Sequence, residues 1–166
     1  TMYVRARTTA SLVAGALLAV VLARTYMVPS VYRNDDVVLS GNDPYYYRYW
    51  VERLLAQAGS PLDPGALAAL PDAVRTGEPL FVATLWWVTE LVGGTPRIAG
   101  HVLAWYPVVS AVVVAGTAYA LAVRATGDRR VGLAAVLVLA IVPGHALRTS
   151  LGFADHHAFD YVPLVV

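Results

Sequence analysis

An all-α integral membrane fold with several spans is what this sequence predicts, on three observations. Hydrophobic residues make up 58% of the chain and charged residues 14%, against roughly half and roughly a quarter in an ordinary soluble domain. The apolar residues are gathered into blocks of bilayer length, as at 100–123, whereas a soluble core of this size spreads them out. Between the first two such blocks the chain is polar and turn-rich, with Pro61, Pro64 and Pro71 among Asp35, Asp36, Asp63 and Asp72.

The first span is expected at 9–28, behind Arg5 and Arg7. It is too long and too poorly ended for a cleaved signal peptide. The positive-inside rule places its amino end in the cytoplasm, and Arg24 near the other end is expected to snorkel outward. An external loop, 29–99, follows and carries two interfacial helices. The first, 44–58, is announced by Asp43-Pro44, an N-cap residue before a proline at the first helical position, and is ended by Gly59. The second, 79–92, is an apolar stretch of 14 residues that contains Glu90, shorter than the roughly 17 that a span requires, with Trp86 and Trp87 suited to the headgroup level. If it crossed, Arg124, Arg129 and Arg130 would lie outside, against the charge bias, and Asp43 and Asp155 would fall on opposite faces. Further spans are expected at 100–123 and 131–147, with a fourth starting at 158–166. The chain opens Thr1-Met2 and stops inside that last apolar run, which predicts a continuation. This topology makes the protein multi-pass, with Asp43 and Asp155 on the outer face.

Charge and cysteine content remove several functions. All twelve basic residues are arginine, and eleven acids leave a net charge of +1, so no basic patch argues for nucleic acid. The chain has no cysteine, so any metal here must be held by oxygen or imidazole.

Two segments could carry chemistry. The first is Gly41-Asn42-Asp43-Pro44-Tyr45-Tyr46-Tyr47-Arg48-Tyr49-Trp50. Asp43 reads as a helix cap, but a cap uses one carboxylate oxygen and leaves the other for a cation. The aromatic residues read as an interfacial belt. The second is Arg148-Thr149-Ser150-Leu151-Gly152-Phe153-Ala154-Asp155-His156-His157-Ala158-Phe159-Asp160. Two imidazoles and two carboxylates sit between hydrophobic segments, where ionisable groups are costly and tend to be functional. In an extended segment Asp155 and His157 point the same way and converge on one ion, while His156 points elsewhere. Carboxylate with imidazole suits Mn²⁺, Zn²⁺ or Fe²⁺ and, less well, Mg²⁺. The plainer alternative is that Asp155 caps the next helix and the histidines sit in wet headgroups. His101 and His145 read as packing residues, with Pro143-Gly144 a helix end. Asp35 and Asp36 read as solvated loop, and Asp128 as a turn residue.

In this order and separation, the two segments resemble the catalytic subunit of asparagine-linked oligosaccharyltransferase in its archaeal form. Gly41-Asn42-Asp43-Pro44-Tyr45-Tyr46 is similar to its first external-loop motif. Gly132-Leu133-Ala134-Ala135, Pro143-Gly144 and Arg148 to Asp160 are similar to its third span and second external loop, with His157 an accepted archaeal variant of an acidic position. The resemblance implies a GT-C-type transmembrane domain, incomplete here, and transfer of an oligosaccharide from a dolichyl-phosphate or diphosphate carrier to Asn of Asn-x-Ser/Thr. It implies Mn²⁺ or Mg²⁺ held by Asp43, Asp155 and His157, with Asp43 also catalytic through the acceptor amide. The partners implied are the lipid-linked oligosaccharide, the acceptor protein and the membrane. The family's later external-loop glutamate and its Trp-Trp-Asp motif, part of a carboxyl-terminal soluble domain, are absent; Trp86-Trp87-Val88 is not that motif. The fragment alone is therefore expected to be inactive. Two rivals remain at this stage. One is a lipid-linked sugar transferase of the same fold with another acceptor, such as a protein O-mannosyltransferase. The other is a metal-binding transporter or scaffold, which would place its ionisable residues in mid-span.

Overall fold

The computed structural model describes residues 2–58, 60 and 63–165, with side chains from residue 7 onward. Gly59, Pro61 and the side chain of Arg5 lie outside the described residues. Ten helices and one short hairpin are described: α1 (Met2–Thr25), α2 (Val28–Val31), β1 (Tyr32–Arg33), β2 (Asp36–Val37), α3 (Asp43–Gln57), α4 (Pro64–Ala68), α5 (Asp72–Thr76), α6 (Pro79–Val92), α7 (Pro96–Thr126), α8 (Arg129–Ile141), α9 (Pro143–Arg148) and α10 (His156–Val165). Two segments are long and apolar enough to cross a bilayer, Arg7–Val31 and Pro96–Thr126. At 1.5 Å per residue, α7 is about 46 Å long and α6 about 21 Å, against a hydrocarbon core of about 30 Å.

Local chemistry fixes the long helices. Thr95 caps α7 by accepting from the Ile98 amide, Pro96 follows at the first position, and Gly127 ends the helix at φ 70°. Asp128 then caps α8 by accepting from the Arg130 amide. This Gly-Asp pair turns the chain so tightly that α8 packs back along α7. At Gly132 an added Cβ would lie 2.7 Å from both the Tyr119 ring and Val123 Cγ2, so the contact admits only glycine. A seam of small residues, Ala16 and Val20 of α1, Ala111 and Ala115 of α7, and Val136 and Ala140 of α8, closes the three-helix packing. Small side chains let membrane helices approach where no hydrophobic drive between them exists. A second core joins α3, α6 and α7 to the 151–154 segment, through Tyr47, Val51, Leu54, Phe81, Trp86, Leu103 and Leu151.

Several expectations are corrected. The segment expected as one span at 131–147 is broken: Val142 is extended at φ −63°, ψ 121°, and α9 restarts at Pro143. A residue before proline is driven out of the helical region, and the proline offers no amide to Leu139. Arg24 does not snorkel; its side chain is fully buried. Nη1 donates to the Ala140 carbonyl, Nη2 to the Leu139 carbonyl at 2.7 Å, and Nε to Thr149 Oγ1 at 2.9 Å. Nη2 also lies 2.8 Å from His145 Nδ1, which therefore accepts. His145 is thus a partner of the arginine as well as a packing residue. Trp86 is a core residue, fully buried, instead of a headgroup anchor. Within the external loop, β1 and β2 pair as an antiparallel hairpin whose turn holds Asn34 and Asp35 at φ 50° and 65°, the geometry a two-residue hairpin turn demands.

Candidate functional site

The segment 149–155 carries the candidate ligands, and four elements hold it. Thr149 is buried and Oγ1 donates to the His145 carbonyl at 2.6 Å while accepting from Arg24. The Leu151 amide donates to the Arg24 carbonyl, the Gly152 amide to the Ala104 carbonyl, and the Ser40 amide to the Gly152 carbonyl, each at 2.9 Å. Gly152 adopts φ +82°, and a Cβ there would meet Val31 Cγ2 at 2.7 Å. Gly41, at φ +94°, lies against Phe153 and Pro44. The two sequence motifs are therefore docked on one another through Ser40 and Gly152, with α7 as the floor.

Asp155 sits at the head of α10 with 1% of its side chain exposed. Its Oδ2 accepts from Arg148 Nη1 at 3.0 Å. Its Oδ1 lies 2.7 Å from His156 Nδ1, off the line of a hydrogen bond, and is buried with no hydrogen-bond partner. His157 Nε2 lies 3.9 Å from Oδ2, and the two imidazoles meet edge to face at 4.1 Å between centroids. One ligand atom from each of Asp155, His156 and His157 lies within 4.8 Å of the other two. A buried carboxylate oxygen without a donor costs free energy unless something charged faces it. Two nitrogen ligands beside it form the hard and borderline donor set of Mn²⁺ and related cations. The residues present fit a divalent metal.

Tyr47 and Glu78 flank this cluster. Tyr47 is only 3% exposed, and its hydroxyl donates to Glu78 Oε2 at 3.3 Å and lies 3.4 Å from His156 Nδ1. Glu78 Oε1 is 3.8 Å from the same nitrogen. Burial, then the charges of Glu78 and Asp155, its bond to Glu78 and the charge of Asp43 raise the Tyr47 pKa well above the usual phenol value, so the phenol is a neutral donor throughout the physiological range.

Of the predicted residues, Asp155 and His157 lie together. Asp43 is exposed at the first turn of α3, outside the three-residue cluster, and its charge reaches the cluster's shell at Tyr47. It makes no capping bond, because Asn42 occupies the N-cap position. His156, expected to point away, is the imidazole nearest to Asp155; α10 begins at His156, so extended alternation stops at Asp155. Tyr47, read as part of an aromatic belt, belongs to the buried face made with Pro44, Val51 and Leu54. Tyr45, Tyr46 and Tyr49 are exposed. Glu78 was missed; an acid placed between the loop and Pro79 at the head of an apolar helix is the signal that marks it.

By fold and site this is a helical membrane protein that holds a carboxylate and two imidazoles at the head of a helix. Residues 13–166 match the family described as oligosaccharyl transferase STT3, N-terminal, and the chain belongs to that family. Over 127 residues, 75% of this chain, it is 30% identical to dolichyl-phosphooligosaccharide-protein glycotransferase 3 of Archaeoglobus fulgidus. The match covers 14% of that relative's length. No solved structure matches the chain. Family membership, with two described segments long and apolar enough to cross a bilayer, makes this a membrane protein.

Proposed function

We propose that this chain supplies part of the active site of an enzyme that transfers an oligosaccharide from a dolichyl-phosphate or diphosphate carrier to Asn of Asn-x-Ser/Thr, on the outer membrane face of a multi-pass GT-C fold. A divalent cation, Mn²⁺ or Mg²⁺, is held by Asp155 and His157 with Asp43 as a further ligand. The observation that carries the reading is the buried Oδ1 of Asp155, which accepts no hydrogen bond, in one cluster with the imidazoles of His156 and His157. The printed name of the archaeal relative supports the carrier and the protein acceptor.

The cation, when bound, supplies charge to stabilise the departing phosphate. The chain's own residues do the rest. In the transfer the acceptor amide nitrogen forms a bond to the anomeric carbon, the carbon–oxygen bond to phosphate breaks, and the amide gives up a proton. An amide nitrogen is a weak nucleophile because its lone pair is delocalised, and a carboxylate accepting its hydrogens helps. In this reading Asp43, exposed at the first turn of α3 and three residues after the Ser40 bond to Gly152, receives that amide. Asp155 and His157 hold negative charge and a nitrogen donor where the phosphate must leave. Arg148 and Tyr47, bonded to Asp155 and Glu78 respectively, orient the cluster.

The test is transfer of glycan to an Asn-x-Thr peptide by the full-length enzyme in membranes, with Mn²⁺ titrated. The reading expects Asp155→Ala to lose most transfer, on the order of 100-fold or more, while remaining inserted. Near-normal transfer by Asp155→Ala at limiting metal would leave that residue as a helix-head group only.

A further inference from the structure

We propose that Arg24 is a positioning residue for this site: its guanidinium closes the broken end of α8 and holds Thr149, fixing the segment that presents Asp155. The inference rests on the metal-dependent reading above.

The bond pattern is specific. In an unbroken helix the Leu139 and Ala140 carbonyls would bond to the amides of residues 143 and 144. Pro143 has no amide hydrogen, and the break at Val142 turns the chain away. Those two carbonyls instead receive Nη2 and Nη1 of Arg24, while Nε takes Thr149 Oγ1. The main chain repeats the link, because the Leu151 amide bonds to the Arg24 carbonyl. One residue of α1 therefore grips both ends of the 139–151 excursion.

The cost of this arrangement shows that packing alone does not explain it. A fully buried guanidinium is expensive to desolvate, and all its described partners, two carbonyls, a hydroxyl and an imidazole, are neutral. An unbroken α8 with leucine at position 24 would satisfy the same carbonyls without burying a charge. The break with its arginine instead sets the course of residues 143–152. That course ends at the Gly152 bonds to Ala104 and Ser40, three residues before Asp155. The described bonds of Arg24 go to Leu139, Ala140, His145 and Thr149 and to none of Asp155, His156 and His157, so it acts on Asp155 through backbone geometry.

The experiment uses the full-length enzyme. Mn²⁺ binding is measured directly by electron paramagnetic resonance, beside glycan transfer to an Asn-x-Thr peptide as Mn²⁺ is titrated. Arg24→Met keeps the bulk and removes the donors; Thr149→Val removes the hydroxyl, and Thr149→Ser restores it. The Mn²⁺ dissociation constant is expected to rise about tenfold or more in Arg24→Met and to rise in Thr149→Val, with Thr149→Ser near wild type. Transfer should return at saturating Mn²⁺ with the peptide KM unchanged, and the double variant should be no weaker than Arg24→Met alone. Wild-type Mn²⁺ affinity in Arg24→Met and Thr149→Val would overturn the inference, as would lost transfer that excess Mn²⁺ does not restore. Should Arg24→Met fail to insert, the Thr149→Val and Thr149→Ser pair decides by the same affinity criterion. If the wild-type enzyme itself binds no Mn²⁺ while still transferring glycan, the metal-dependent reading fails, and the inference with it.

Discussion

Arg148 Nη1 and Asp155 Oδ2 form a 3.0 Å ion pair in which the arginine is 45% exposed and the carboxylate 1%. The pair is lopsided. One oxygen of a buried carboxylate is neutralised by a cation that water can still reach, and the other, 2.7 Å from His156 Nδ1, accepts no hydrogen bond. The Arg148 guanidinium also lies over the Phe153 ring, 5.9 Å from its centroid.

Arg148 and a bound cation compete for the same negative charge. Arg148→Gln is expected to tighten Mn²⁺ binding by about tenfold, from the removal of a nearby positive charge at intermediate dielectric, while lowering the stability of the metal-free protein. Calorimetric Mn²⁺ titration together with thermal unfolding in chelator checks both halves. Weaker Mn²⁺ binding would mean that Arg148 serves mainly to orient Asp155.

The two histidines are expected to separate. His156 Nδ1 faces Asp155, Tyr47 and Glu78 together, whereas His157 Nε2 has only Oδ2 near it and is the nitrogen open to a cation. His157→Ala should therefore weaken Mn²⁺ binding more than His156→Ala. Both should be milder than Asp155→Ala, because water replaces a neutral ligand without loss of charge. A Mn²⁺ titration of the three variants that ranks His156→Ala as the most damaging would reassign the ligand.

Alkaline pH should act through Tyr47. Its pKa in the fold is raised, by burial first and then by the charge of Glu78, above the roughly 10 of an unfolded chain. The folded state holds the proton more tightly. The resulting stability is fully present below about pH 10 and is lost as pH rises beyond it. The fall in unfolding temperature above that pH should be smaller in Tyr47→Phe than in wild type, and an unchanged fall would remove Tyr47 as its source.

Gly152→Ala tests the docking of the two motifs. The αL conformation costs an L-residue about 1–2 kcal/mol, and a methyl 2.7 Å from Val31 Cγ2 adds overpacking of about 1–3 kcal/mol. In the Val31→Ala background the steric part should vanish and the backbone part remain, so the double variant is more stable than the sum of singles predicts. Additive losses in thermal unfolding would show that the contact with Val31 does not limit the site.

Helices are legible where the signals are local: Asp43-Pro44, the run after Pro79 and the run at 100–123 act within a few residues of themselves, whereas the caps Thr95 and Gly127 that extend α7 to Pro96–Thr126 went unread. The site was readable as far as its residue types, Asp155 and His157 above all. What could not be read were properties set across the chain. Arg24 meets Leu139, Ala140 and Thr149 more than a hundred positions away, and no periodicity within α1 distinguishes that burial from snorkelling. His156 was misplaced because the strand rule was applied one residue too far, past the point where α10 begins. Tyr47 was hidden among four other aromatics until the face shared with Pro44, Val51 and Leu54 picked it out. Glu78 has no motif at all, and only the fold of the loop onto α10 brings it to His156.

The distance along the chain between Arg24 and Thr149 is 125 residues, and it is also an interval of time. A ribosome adding roughly 5–20 residues per second needs about 6–25 s to deliver the second after the first. Until residue 139 is made, which takes most of that interval, the arginine has none of these partners, and a solitary guanidinium near a helix end stretches toward the wet interface. The snorkelling pose is thus the one that suits the nascent first helix, and burial is a late step of biogenesis. A polypeptide arrested before residue 139 would leave the guanidinium labelled by water-borne reagents, and one extended past residue 151 would shield it.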